Sequence, residues 1–229
     1  MSKAVVVFSG GMDSTVLLEQ CIKDHDEVYV ITFDYNQRHK KEVDVAFKYC
    51  ALKLPGGSIL EHRIIDLSFF ADIAKSAITD KNIDVPKMKD IIGEAQSVTY
   101  VPNRNMMMIS IACSYAESVG ATEVYYGAVA VDNLSGYWDC TREFIEGMNN
   151  TLSLNRMNRI EIKAPLLFKS KKEIIELGIE LGAWLHQTWT CYKGEEISCG
   201  TCPSCAARIA GFKKAGIVDP LPYAINIDW

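Results

Sequence analysis

Residues Ala4-Val5-Val6-Val7-Phe8 form an unbroken apolar, largely β-branched run that stops at Ser9-Gly10-Gly11 and gives way to Val16, Leu17, Gln20 and Cys21 at helical spacing. A run without in–out alternation reads as a strand buried on both faces, the situation of a parallel sheet covered by helices. The pattern then repeats. Residues 27–33 and 63–67 read as strands, with a helix over 40–53 between the first helix and the last of these. Strand, helix, strand, helix, strand implies right-handed crossovers and a parallel α/β architecture. Further along, the spacing predicts a helix over 103–119, a buried strand over 123–130, a helix over 141–155, a short strand over 160–164, a helix from Ser170 to Leu181 stopped by Gly182, and a last helix from Cys205 to Ala215. The expected fold is therefore a Rossmann-like, five-stranded parallel, doubly wound sheet. Residues 1–185 form the main domain and 186–229 a C-terminal helical appendage. Residues 68–99 break the pattern, with helix expected only around 69–77, and read as a lid-like insertion.

The chain's 229 residues suffice for one large α/β domain, and its net charge of −5 offers no general cationic surface for a nucleic acid. No stretch approaches the ~20 apolar residues of a membrane span. The first apolar run has neither the length nor the cleavage site of a signal peptide, so a cytoplasmic protein without membrane or nucleic-acid partners is expected. Its thiols are then expected to be reduced.

Ser9-Gly10-Gly11-Met12-Asp13-Ser14 lies where the first strand enters the first helix. Two glycines let backbone N–H groups approach an anion, and the helix N-terminus adds unpaired donors and a positive dipole end. Ser9 and Ser14 can donate to phosphate oxygens, and Asp13 can hold Mg²⁺ or cap the helix. Neither the Walker nor the Rossmann glycine pattern is present. A plain turn with Asp13 as N-cap would use the same residues. The whole string resembles the SGGxDS signature of N-type ATP pyrophosphatases, which release AMP and pyrophosphate. ATP is therefore expected on Phe8, Ser9, Gly10, Gly11, Met12, Asp13, Ser14 and Thr15.

Of eight cysteines, four are scattered, whereas Cys191, Cys199, Cys202 and Cys205 fall within fifteen residues of one another. Overlapping Cys-x-x-Cys units with a fourth thiol upstream suit tetrahedral, structural Zn²⁺. An iron–sulfur cluster or a redox pair would use the same spacing.

Three polar clusters follow predicted strands or open helices. Arg38 and His39, within Tyr35-x-Gln37-Arg38-His39-x-x-Glu42, could neutralise phosphates at a strand's carboxyl end. Arg104, in Val101-Pro102-Asn103-Arg104-Asn105, could clamp a carboxylate or phosphate, with Asn103 or Asn105 as caps. Asp132, Ser135, Gly136, Tyr137 and Asp139 gather carboxylates, a hydroxyl and a ring on one loop, a mix suited to a planar hydrogen-bonding heterocycle. Ser170 is a predicted N-cap, and Lys171 beside it could reach phosphates. Each cluster also has a bland reading as a polar turn or cap.

Taken together, Ser9–Ser14, Tyr35-x-Gln37-Arg38-His39, Val101-Pro102-x-Arg104-Asn105, Ser135-Gly136-Tyr137-x-Asp139-Cys140, Thr188-Trp189-x-Cys191-Tyr192 and Cys199-Gly200-x-Cys202-x-x-Cys205 resemble the QueC family of the queuosine and deazapurine pathways, over nearly the whole chain. The resemblance implies an adenine-nucleotide α-hydrolase-like fold and a carbon–nitrogen ligase. That enzyme would use ATP, Mg²⁺ and ammonia to turn 7-carboxy-7-deazaguanine into 7-cyano-7-deazaguanine through an adenylate, an amide and a second adenylate. It also implies catalytic roles for Asp13, Arg38, His39, Arg104 and Lys171, substrate contacts for Arg104, Asp132, Ser135, Gly136, Tyr137 and Asp139, zinc on the four clustered cysteines, and a homodimer. The chain departs from the family pattern at Asn103, at 129–133, at Trp138 and at Trp184. A variant halting at the amide, a tRNA-modifying relative and a non-catalytic nucleotide- or zinc-binding module are the alternatives.

Overall fold

The computed structural model describes residues 1–90, 97–129 and 137–229. Five parallel strands, β1 (Lys3–Val7), β2 (Glu27–Asp34), β3 (Ile59–Asp66), β4 (Glu123–Tyr125) and β5 (Glu161–Lys163), lie in the order β3-β2-β1-β4-β5. The central strand β1 has Ala4, Val5 and Val6 fully buried, as its unalternating sequence requires. Its residues serve two cores. Val5 packs with α3 (Phe70–Ile73), α4 (Arg104–Val119) and α5 (Arg142–Leu152) on one face of the sheet. Val6 packs with α1 (Met12–Asp24), α2 (Lys41–Lys53), α6 (Lys171–Glu180) and α7 (Pro203–Ala215) on the other. The sheet is thus doubly wound. The chain leaves β1 toward β2 on one side and returns as β4 on the other. A crevice opens at the carboxyl ends of these two neighbours, where ligands bind in such sheets.

The boundaries shift where packing overrides pattern. β3 begins at Ile59, four residues before the expected start, because an edge strand tolerates polar side chains. There His62 meets the Thr32 hydroxyl at 2.8 Å and Arg63 stacks over Tyr115. β4 ends at Tyr125, yet Tyr126, Ala128 and Val129 stay buried as irregular chain. Burial on the crevice floor gives that segment a strand-like composition without strand pairing. Among the described residues the insertion carries the single turn α3 and a 3-10 turn at Met88–Asp90, and residues 91–96 lie outside the described set. Ser170 caps α6 through a full capping box with Glu173, and Thr141 caps α5. Asn103 occupies the N-cap position of α4 at φ 55° without a side-chain cap bond.

The C-terminal segment is anchored on the sheet domain. Phe212 of α7 joins the core of α1, α2 and α6, and Gly211 lets α7 close onto Lys171, since a Cβ there would stand 2.8 Å from the lysine Cβ. Arg208 is buried and bonds bidentately to Asp219, at 2.6 and 2.9 Å, while its other nitrogen donors reach Thr188, Thr190 and the Leu185 carbonyl. Among the described residues no helix is long and apolar enough to cross a membrane.

Candidate active site and cysteine cluster

Gly11, rather than Asp13, is the N-cap of α1. Asp13 stands in the first turn and meets the Lys171 ammonium at 2.6 Å, so its carboxylate serves an ion pair and not the helix end. Its other oxygen, Oδ1, is buried and accepts no hydrogen bond. Gly10 adopts φ 82°, and a Cβ there would fall 2.5 Å from the Glu42 carbonyl oxygen and 2.9 Å from the Ala46 nitrogen of α2. Only glycine fits both the conformation and the space. Inside the loop, the Ser14 hydroxyl donates to the Gly11 carbonyl at 3.0 Å, lies 3.1 Å from the Ser9 hydroxyl and accepts from the Ser9 N–H at 3.3 Å. Thr15 also donates to Gly11. The loop is therefore braced before any anion arrives. From the far end of the chain, the Trp189 N–H donates to the Gly10 carbonyl at 2.9 Å.

Gly10→Ala is expected to weaken ATP binding by at least about tenfold, because strain of a few kcal/mol falls on the loop itself. Calorimetric titration with Mg·ATP checks this, and an unchanged affinity would refute the close-packing account.

A cavity of about 430 Å³ spans the crevice. Of the residues expected on the nucleotide, Phe8, Ser9, Gly11, Met12, Asp13 and Ser14 line it, whereas Gly10 and Thr15 lie beneath and shape the loop. Arg104, His39, Lys171 and Tyr137 also line it. The Arg104 guanidinium donates to the Tyr35 hydroxyl at 3.0 Å and to Asn105 Oδ1 at 3.1 Å. Burial opposes its charge, but Tyr35, Asp139 and Tyr192 outweigh that effect and hold its pKa above the ordinary guanidinium value. Burial pushes the Tyr35 hydroxyl up to about 12, so it stays protonated as the Arg104 partner.

Two further expected residues do not line the cavity. Arg38 points away from the cavity. Its guanidinium donates to the carbonyls of Asp80 and Ile83 and binds the insertion to the 36–39 turn. Backbone carbonyls on a neighbouring loop are a sufficient sink for a guanidinium, which has five donors and no acceptor. Asp139 is buried behind the lining, beside Arg104 and Asn105, where burial raises its pKa against the pull of Arg104. Its backbone carbonyl accepts from Tyr126 at 2.6 Å. It steadies the wall and does not face the cavity. Asp132, Ser135 and Gly136 lie outside the described residues.

The structure adds lining residues to which the sequence assigned no ligand role. Asn105, Thr99, Trp189, Thr190, Ser204 and Arg208 line the cavity. Glu42 does too, and its Oε1 lies 3.2 Å from His39 Nε2 and 3.3 Å from Gln37 Nε2. Its three-residue offset from His39 at the start of a predicted helix was the available signal.

Cys191, Cys199, Cys202 and Cys205 are buried, and their sulfurs lie within 4.8 Å of one another, an arrangement that could hold a metal ion. Backbone N–H groups of Cys199, Cys202 and Cys205 point at the sulfurs of Cys191, Cys199 and Cys202 at 3.3–3.5 Å, as suits thiolates. Hydrogen bonds from Cys202 and Cys205 hold the Cys191 thiol well below its usual range, and the same contacts push those two thiols up. A bound metal would let all four ionise. Trp189 and Thr190 just before the cluster, and Tyr192, Pro203 and Ser204 within it, line the cavity.

Comparison with known proteins places this geometry. The family model described as "Queuosine biosynthesis protein QueC" matches residues 3–216. The chain is 44% identical to the 7-cyano-7-deazaguanine synthase of Caldicellulosiruptor saccharolyticus over 99% of its own length and 98% of the relative's. It is 43% identical to the synthase of Clostridium kluyveri over 97% and 98%, and 44% identical to that of Methanoregula boonei over 96% and 99%. With its signature loop, its cavity and its cysteine cluster all inside the matched span, the chain belongs to the QueC family of queuosine biosynthesis proteins.

Proposed function

We propose that the chain is an ATP-dependent carbon–nitrogen ligase that converts 7-carboxy-7-deazaguanine and ammonia into 7-cyano-7-deazaguanine. The observation that carries this is the meeting of the Ser9–Ser14 loop, Lys171 and Arg104 around one cavity at the β1/β4 crevice. A carboxylate oxygen is a poor leaving group, and adenylation makes it a good one. The substrate carboxylate attacks the α-phosphorus of ATP, and pyrophosphate departs against the loop N–H groups and Lys171, which stabilise the charge built on it. Arg104, its direction fixed by Tyr35 and Asn105, suits the carboxylate or the α-phosphate. Ammonia then displaces AMP. In the second round the amide oxygen attacks ATP, the nitrogen loses its protons, and AMP leaves with the carbon–oxygen electron pair.

The orphaned Oδ1 of Asp13 suits a cation, so Asp13 would hold Mg²⁺, which neutralises phosphate charge when bound. The all-cysteine donor set, closed by its own fold, favours structural zinc. In this reading residues 1–185 carry the nucleotide and substrate site, with the 68–99 insertion as its lid, and 186–229 form the metal-bearing wall. Exposed Leu60 and Ile64 on the edge strand and Phe47 on α2 support a homodimer. Eight free thiols suit a cytoplasmic setting.

Mass spectrometry of a reaction containing the carboxy-deazaguanine, ammonium and Mg·ATP tests the proposal. The expected product is lighter than the amide by one water, with two AMP released per nitrile. Accumulation of the amide alone under excess ATP would remove the second activation, and no product at all would remove the substrate assignment.

A further inference from the structure

The ligase reaction needs a nitrogen nucleophile, and at neutral pH ammonia in solution is almost wholly ammonium. A site that uses it must receive a small cation beside an anionic adenylate and take a proton from it. Among the described residues the cavity has two carboxylates in its lining, Asp13 and Glu42. Asp13 is neutralised by Lys171 at 2.6 Å. Among the described residues no Lys or Arg pairs with Glu42. Its Oε1 is engaged by Gln37 and His39, and Oε2 makes no hydrogen bond to any described residue. The Glu42 side chain is 12% exposed, enough to reach a small ligand and buried enough to resist screening.

The fold places Glu42 beside the phosphate loop and in the lining of the cavity. Glu42 is in the first turn of α2, and its own carbonyl is the atom that excludes a side chain from Gly10 in the phosphate loop. Gln37, 3% exposed, holds the carboxylate in place, since its oxygen accepts from the Tyr35 N–H at 2.9 Å while its nitrogen serves Glu42. His39, packed on the Tyr192 ring, supports it from the other side. Resting on the ligase reading above, we infer that Glu42 is the ammonium-binding group and general base of the amidation step, with Gln37 and His39 as its positioning residues.

Ammonium donates to Glu42 Oε2 and passes one proton to it. The nitrogen lone pair forms the C–N bond to the acyl carbon as the C–O bond to AMP breaks, and that electron pair leaves with AMP. The adduct nitrogen loses a second proton to solvent, and Glu42 then releases the first. The sum is acyl adenylate plus ammonium giving amide, AMP and two protons.

The test is Glu42→Gln, assayed in three ways. A charged hydrogen bond lost without change of shape is expected to raise the KM for ammonium roughly ten- to a hundredfold. Carboxylate-dependent ATP–pyrophosphate exchange should persist. Hydroxylamine, neutral at this pH, needs neither the cation site nor the base, so hydroxamate formation should also persist. Glu42→Asp, which keeps the charge but draws it back, should raise the KM by less. An unchanged ammonium KM in Glu42→Gln overturns the inference. So does joint loss of hydroxamate and amide, because Glu42 would then serve the adenylation site or the fold. Absence of exchange in the unaltered protein would instead overturn the ligase reading itself.

Discussion

Lys171→Ala is expected to lower carboxylate-dependent ATP–pyrophosphate exchange by roughly a hundred- to a thousandfold, the usual cost of removing one preorganised group that stabilises transition-state charge. Lys171 opens α6 just after the Ser170 cap, so its backbone is fixed by the capping box. Gly211 packs against its Cβ, which restricts the stem. The ammonium is delivered to Asp13 at the mouth of the phosphate loop, with its side chain only 12% exposed. A cation so placed pays little reorganisation when pyrophosphate charge develops. The truncation also leaves Asp13 beside the phosphates without its counter-charge, which adds to the loss. Arg in place of Lys should restore only part of the rate, because the planar fork is bulkier and differently aimed. The measurement is labelled-pyrophosphate exchange at saturating carboxylate, paired with a melting curve. A rate within a few-fold of the unaltered protein would show that Lys171 is only a partner for Asp13. Lys171→Ala should affect exchange and amidation alike, whereas Glu42→Gln should spare exchange. The two variants therefore separate the activation chemistry from the nucleophile's entry.

Those two residues also show what was and was not readable from the chain. The β1 run, the glycine turn and the α1 periodicity are local, and each is dictated by sterics over a few residues, so the loop could be located without a structure. The cysteine cluster was legible for the same reason, since three of its ligands lie within seven residues. The predicted N-cap Ser170 announced the helix that carries Lys171, but its approach to Asp13 depends on α6 packing across α1 and α7. The place of Arg38 was not legible, because a guanidinium after a strand suits a phosphate as well as it suits the carbonyls of an insertion, and the tertiary path of residues 78–83 brings those carbonyls to it. Asp139 has the composition of a ligand-binding residue, but its depth behind Arg104 and Asn105 is a property of the packed wall. The apolar run at 126–129 was extended into a strand because burial and strand pairing leave the same mark on composition. Trp189 stands in a legible motif, but its bond to Gly10 could not be read, since it joins residues at opposite ends of the chain.

That last contact makes metal removal the second large effect. Stripping the metal with a chelator, or substituting Cys202→Ser, should abolish ATP binding as well as lower stability. The segment from Trp189 to Arg208 is held by the cysteine cluster, by Arg208 on Asp219, by Trp189 on Gly10 and by single contacts such as Lys41 Nζ to the Glu196 carbonyl at 2.7 Å. Structural zinc contributes on the order of 10 kcal/mol to such folds, far more than any one of the other ties. Cys202 has a second role, since its sulfur accepts from the Cys205 N–H and caps α7. Serine keeps a cap but gives up a thiolate ligand. Loss of even about 4 kcal/mol should lower Tm by roughly 10 °C in a chain of this size. Opening of the segment should also expose the 189–208 region to proteolysis and release the Gly10 carbonyl. Because Trp189, Thr190 and Ser204 line the cavity, nucleotide affinity should fall together with metal content, tracked by titration of Mg·ATP against metal per chain. Metal analysis showing one zinc and no iron per chain would settle the ion. Full ATP affinity in metal-free protein would mean that the cluster secures only the tail, and that the wall of the site holds itself.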